Sequence, residues 1–311
     1  MPAAQILRAP FPWYGGKSQA ADLIWPRFGD VHNYVEPFFG SGAILLSRPS
    51  EPQIETVNDK DGFVANFWRA LQADPEAVAH HSDWPVNEND QHARHVWLVS
   101  KRDRLTSSLE GDPDFYDVKI AGWWVWGICC WIGGGWCSGD GPWQVDDAGN
   151  LVHLGNAGQG VHRKRVHLGS AGQGEWSAAL ADRLRHVRVC CGDWLRVCGP
   201  TPTTKQGLTG VLLDPPYADT AGRDWDLYAV DSATVAHEVR EWAIAHGDDP
   251  LLRIALCGYD GEHAMPANWT EVGWKARGGY GNKGENSPGR LNARKERIWF
   301  SPHCLKAGLF D

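Results

Sequence analysis

Asp214-Pro215-Pro216-Tyr217 puts a carboxylate, a proline carbonyl and an aromatic plate directly after the apolar run Val211-Leu212-Leu213. The run reads as a buried strand. The prolines stop it, because each lacks an N–H and disfavours helix in the residue before it. Asp214 then stands at the carboxyl end of a strand, where open α/β sheets bind ligands. Pro215 and Pro216 stiffen the turn and leave carbonyls without ladder partners. Such a set can hold an amino group on a planar ring, with two acceptors for its N–H groups and Tyr217 against the ring face. A strand that merely ends in a proline-rich turn has the same composition, so other stretches must decide.

Three further acids follow strand-like runs. Tyr34-Val35-Glu36-Pro37-Phe38-Phe39-Gly40-Ser41-Gly42-Ala43 reads as strand, glycine turn and helix. Gly40 and Gly42 allow close backbone approach to a ligand, and the helix start offers free N–H groups. Glu55-Thr56-Val57-Asn58-Asp59 reads as a second strand, with Asp59 about 20 residues beyond the glycine turn, where such folds carry a ribose-binding acid. Asp59 would equally serve as the N-cap of the helix that follows. The run 186–192 reads as a third strand, placing Asp193 and Trp194 on the same ligand edge. Upstream, Phe11-Pro12-Trp13-Tyr14-Gly15-Gly16-Lys17-Ser18 supplies an aromatic wall in Trp13 and a cation in Lys17, ahead of a helix over 18–27. A phosphate loop is excluded, since it needs glycine where Phe11 stands. A glycine-rich loop with Trp13 in the core is the plainer alternative.

Composition restricts the rest. The chain has 311 residues and a net charge of −8, so a nucleic-acid surface would have to be a local basic patch. The repeat that starts at Val152 and recurs at Val166 flanks His162, Arg163, Lys164 and Arg165, and no acid lies between Gly155 and Gly174. Phosphate backbone is the natural partner of such a loop, and an idle surface loop is the alternative. Lys283, Arg290 and Arg294 give the segment 278–295 the same character, and it feeds a last strand at Arg297-Ile298-Trp299-Phe300. The segment 122–137 holds many of the 18 tryptophans and reads as a buried helix running into a glycine loop, with base stacking as the other use of its rings. Cys129, Cys130 and Cys137 with His153 lack zinc-site spacing, and no metal is expected. The cysteine pattern and the missing leader suggest a reduced, intracellular, cytoplasmic protein. No apolar run reaches the ~18 residues of a membrane span.

Together these motifs resemble the Dam-like DNA adenine N6-methyltransferases. Pro12 to Lys17 resembles the family's cofactor-covering segment, Glu36 to Gly42 its glycine loop, Asn58-Asp59 its ribose-binding acid and Asp214 to Tyr217 its catalytic tetrapeptide. Arg294 to Trp299 resembles its closing strand. The resemblance implies a Rossmann-like α/β fold with a mixed seven-stranded sheet and helices on both faces. It also implies a catalytic domain from 1–63 and 185–311, and a helix- and loop-rich target-recognition insert over 64–184. S-adenosylmethionine is the implied cofactor and DNA the implied partner, with no membrane and no obligatory protein partner. The implied chemistry is methylation of adenine N6 after the base flips out of the duplex. The implied cofactor contacts are Trp13, Lys17, Glu36, Phe38, Gly40, Gly42, Asp59, Asp193, Trp194 and Asp214. The middle of the chain departs from the family pattern. N4-cytosine or RNA-adenine transfer, or a catalytically silent nucleic-acid binding module, are the competing readings.

Overall fold

In the computed structural model the described residues are 7–13, 17–51, 53–131, 135–137, 143–145, 151–153, 173–216, 234–274 and 296–306. In chain order they form α1 (Ala21–Phe28), β1 (Asn33–Glu36), α2 (Ala43–Leu46), β2 (Ile54–Asp59), α3 (Gly62–Ala73), α4 (Pro75–Ser82), α5 (Glu88–Val99), α6 (Arg102–Gly111) and α7 (Val118–Cys130). Then come β3 (Trp143–Val145), β4 (Leu151–His153), α8 (Gln173–Leu184), β5 (Val187–Cys191), β6 (Thr209–Leu213), α9 (Val235–His246), β7 (Leu252–Tyr259), β8 (Thr270–Gly273) and β9 (Glu296–Phe300).

Among these residues seven strands form one sheet in the order β5-β2-β1-β6-β7-β9-β8. β5 through β7 run parallel, and β9 is antiparallel to both β7 and β8. The sheet is therefore mixed and seven-stranded, as expected of a Rossmann-like α/β fold. The apolar runs of β6 and β7, its central strands, follow from burial on both faces. Leu212 of β6 and Ala255 and Cys257 of β7 join the core that α1, α3 and α7 cover. Their neighbours Val211, Leu213, Ile254 and Leu256 join the opposite core, with Val239 and Ala243 of α9. The two-residue period of the strand thus deals one apolar run to two layers.

Polar pins hold the layers. Glu55, buried in β2, receives Arg48 Nη1 at 3.1 Å and Arg183 Nη1 at 2.7 Å, which ties the end of α8 to the sheet. Arg69 of α3 donates to the Val189 carbonyl of β5 at 2.9 Å and to the Asp112 carbonyl beyond α6 at 3.0 Å. Asp117 caps α7 by accepting from Ile120 N at 2.9 Å, while its own N–H and carbonyl bond the Asn66 amide of α3. Helix α3 crosses residue 64, packs on β2 and β5, and carries α4, α6, α7 and α8. No described helix is long and apolar enough to cross a membrane.

The helix expected over 18–27 begins later. Lys17–Gln19 is a single 3-10 turn, and α1 proper starts at Ala21. The helix after the glycine turn, α2, is one four-residue turn, with Gly42 as a left-handed N-cap. Trp124 and Trp126 of α7 are buried, as the core-packing reading of that stretch expects.

Candidate active site

The ends of four parallel strands meet at one cavity. Glu36 closes β1, Asp59 closes β2, Asp193 follows β5 by two residues, and Asp214 follows β6 directly. β1 lies between β2 and β6, so the cavity sits where the strand order reverses, the place at which α/β sheets bind ligands. Trp13, Lys17, Phe38, Gly40, Trp194 and Pro216 also line it. Gly42 stands behind the lining, packed against Phe39 and Trp68, and Pro215 is buried beside it. Tyr217, His162, Arg163, Lys164, Arg165, Lys283, Arg290 and Arg294 lie outside the described residues.

Asp59 is fixed by the backbone. Its Oδ2 accepts from Gly40 N at 2.9 Å and its Oδ1 from Asp61 N at 2.9 Å. The N-cap of α3 is Asp61, whose carboxylate accepts from Phe63 N at 2.9 Å. Asp59 is therefore not the cap, and it lines the cavity. Gly40 is obligatory: its φ is +48°, and a Cβ there would lie 2.2 Å from Trp13 Nε1. The Trp68 indole N–H anchors the same turn by donating to the Gly40 carbonyl at 2.8 Å.

Lys17 Nζ is 3.1 Å from Asp214 Oδ1 and 3.5 Å from Glu296 Oε2. Glu36 is buried and accepts from the Tyr34 hydroxyl at 2.8 Å. Burial drives its pKa well above the usual carboxylate range, with the charges of Asp214 and Asp59 adding to the effect. Loss of hydration in the cleft, and then the neighbouring Asp61, raise Asp59 to about 7.

Sequence reasoning missed several contributors. Asn58 Nδ2 donates to the Pro37 and Gly192 carbonyls, both at 3.0 Å, and so ties the ends of β1, β2 and β5 together. Trp124, Ile128 and Trp136 form an apolar wall. Gly127 makes that wall possible, since a Cβ there would lie 1.8 Å from the Trp136 ring, and Trp136 Nε1 donates to the Trp124 carbonyl at 3.0 Å. The lining carries Glu36, Asp59, Asp61, Asp193, Asp214 and Glu238 against Lys17 and Lys60. An acidic cleft with aromatic walls suits a cationic ligand that has hydroxyls and a flat ring. Among the described residues no cluster of metal-binding side chains is found.

Comparison with known proteins gives this geometry a lineage. Residues 13–108 match the model of the D12 class N6 adenine-specific DNA methyltransferases. Over that stretch the chain is similar to a Dam-like family. It is 31% identical over 85 residues to the DNA adenine methylase of Vibrio cholerae serotype O1, in both the Classical Ogawa and El Tor Inaba strains. That stretch is 27% of this chain and 30% of the Vibrio protein. The chain is also 29% identical over 77 residues to the DNA N-6-adenine-methyltransferase of Escherichia phage P1, across 25% of this chain and 10% of the phage protein. The likeness thus spans less than a third of each relative. Within this chain the family-model match covers Trp13, Lys17, Glu36, the glycine turn and Asp59, and stops short of Asp214.

Proposed function

We propose that this chain transfers a methyl group from S-adenosylmethionine to the N6 amine of adenine in DNA. The observation that carries the reading is the convergence of strand-end acids on one cleft, with Asp214 at its β6 edge and Asp59 at its β2 edge. The cleft fits the methyl donor, whose sulfonium and ammonium are cations, whose ribose offers two hydroxyls and whose adenine is flat. Asp59 would take the ribose, Asp193 and Trp194 the adenine edge, and Trp13 would close over the turn. When bound, S-adenosylmethionine supplies an electrophilic methyl group.

The protein's own part is to make a poor nucleophile competent. The N6 lone pair of adenine is delocalised into the ring. Asp214 and the Pro215 carbonyl would each accept one N–H bond, which favours a tetrahedral nitrogen. Its lone pair is then free to take the methyl group as the donor's methyl–sulfur bond breaks, and Asp214 or solvent would take the proton that the amine gives up. These contacts strengthen as positive charge develops on nitrogen, so they favour the transition state, and positioning adds to them. Adenine must leave the duplex to reach the cleft, and Tyr217 would stack on it there. The segment 64–184 is proposed to contribute target recognition.

The deciding experiment treats unmethylated DNA with the protein and S-adenosylmethionine and sequences the product for modified bases. N6-methyladenine is expected. Modification only at cytosine N4, only in RNA, or nowhere, rejects the reading. A second expectation concerns the basic repeat. Replacing Arg163, Lys164 and Arg165 together by alanine should weaken binding to all duplexes alike and reduce the salt slope by up to about 3 units, near one per lost phosphate contact. Affinity measured against salt on two unrelated duplexes tests this. A loss confined to one sequence would make the loop a base reader.

A further inference from the structure

We propose that Glu296 is a positioning residue for the Asp214 site, acting through the Lys17 ammonium. The inference rests on the reading of Asp214 as acceptor for the substrate amine. Lys17, Asp214 and Glu296 come from the N-terminal 3-10 turn, the end of β6 and the first residue of β9, and they meet around one nitrogen. Lys17 Nζ lies 3.1 Å from Asp214 Oδ1 and 3.5 Å from Glu296 Oε2. Side-chain exposures of 10% for Lys17 and 4% for Glu296 put this contact out of bulk water, while Asp214, at 21%, opens to the cleft. Lys17 also sits 5.5 Å from the centre of the Trp274 ring.

The arrangement creates a competition. Asp214 must accept an N–H from the substrate amine, yet one of its oxygens already faces an ammonium, which lowers its strength as an acceptor. Glu296 offers that ammonium a second seat about as near. A carboxylate at 296 therefore draws Lys17 away from Asp214 as the amine arrives and keeps the ammonium in the site afterwards. Without the charge at 296, Asp214 no longer shares Lys17 with that carboxylate and is held more tightly.

Two measurements test the proposal. The first needs no enzymatic activity: Lys17 acylation by acetic anhydride, followed by mass spectrometry in the full-length protein. An opposite charge within ~4–6 Å typically moves an amine's protonation by one to three tenfold steps, so Glu296→Gln should acylate Lys17 about tenfold faster than the parent. Glu296→Asp, which keeps a carboxylate, should stay near the parent rate. The second is a double-mutant cycle on methyl transfer. Glu296→Gln should lower kcat by about tenfold, within the range for coupled neighbouring groups, with little change in KM for DNA. In a Lys17→Met background the same substitution should cost less than about twofold. Equal acylation in parent and Glu296→Gln, or additive losses in the cycle, overturns the proposal. A parent that acylates as expected but methylates no DNA overturns the functional reading and leaves the ion trio standing.

Discussion

Asp214→Ala should reduce methyl transfer by about 10²–10³-fold or more, the loss that follows removal of one preorganised group aimed at developing charge. The residue is well placed to show this without unfolding the protein. All five residues of β6 are buried, and both neighbouring strands pair with it in register. Asp214 itself lies beyond the last pair and faces the cleft. Its loss deprives Lys17 of one partner, but Glu296 remains 3.5 Å away, so the ammonium keeps a carboxylate. The melting curve should accordingly move little, by about 1 kcal/mol or less. Asp214→Asn separates charge from shape: it keeps one carbonyl acceptor but turns an amide N–H₂ toward Lys17 or the substrate amine. A large loss in both variants is expected, with cofactor affinity less affected. Transfer within tenfold of the parent, at an unchanged melting temperature, would remove Asp214 from the chemistry.

What the sequence announced was local. Val211 to Pro216 carries a strand, its stop and its acid within six consecutive positions, and β6 ends where the prolines require. The ends of β1 and β2 were equally legible, because a glycine turn and an acid punctuate each. Features that depend on distant partners were not. Lys17 and Glu296 stand at opposite ends of the chain, and neither reveals that it will share an ion pair with the other. Asp59 and Asp61 are two residues apart and both can cap a helix. Only the fold shows that the Gly40 N–H claims Asp59 and leaves the capping to Asp61. β8 escaped notice because an edge strand with an exposed pattern has no apolar period to read. The tryptophan-rich α7 read as core, and its burial agrees. That one face of it would also wall the cavity followed from the packing of Trp136 across Gly127, which no periodicity encodes.

Cofactor affinity should rise with pH up to about neutrality, and Asp59 should be the cause. Its pKa is lifted from an ordinary 3.8 to about 7, first by lost hydration in the cleft and then by Asp61, against the lowering effect of the Gly40 and Asp61 N–H groups. Between these two values the unfolded chain gives up this proton before the folded protein does. The contribution of Asp59 to stability is therefore fully present below pH 3.8 and is lost as pH rises through about 7. Ribose hydroxyls bind best as donors to the ionised carboxylate, and a cationic ligand favours the same form. Binding below neutrality must then expel a proton, and affinity for S-adenosylmethionine should fall by up to about tenfold per pH unit below the folded pKa. Calorimetry at pH 6 in two buffers of different ionisation heat should register release of close to one proton. Asp59→Ala should flatten this dependence and weaken binding at pH 8 by about 1–3 kcal/mol, the cost of leaving buried hydroxyls unmatched. Glu36 and Asp61, both raised by burial, persist in that variant, so any remaining slope belongs to groups other than Asp59. If Asp59→Ala binds the cofactor as the parent does at pH 8, Asp59 serves only to brace Gly40 and the entry to α3.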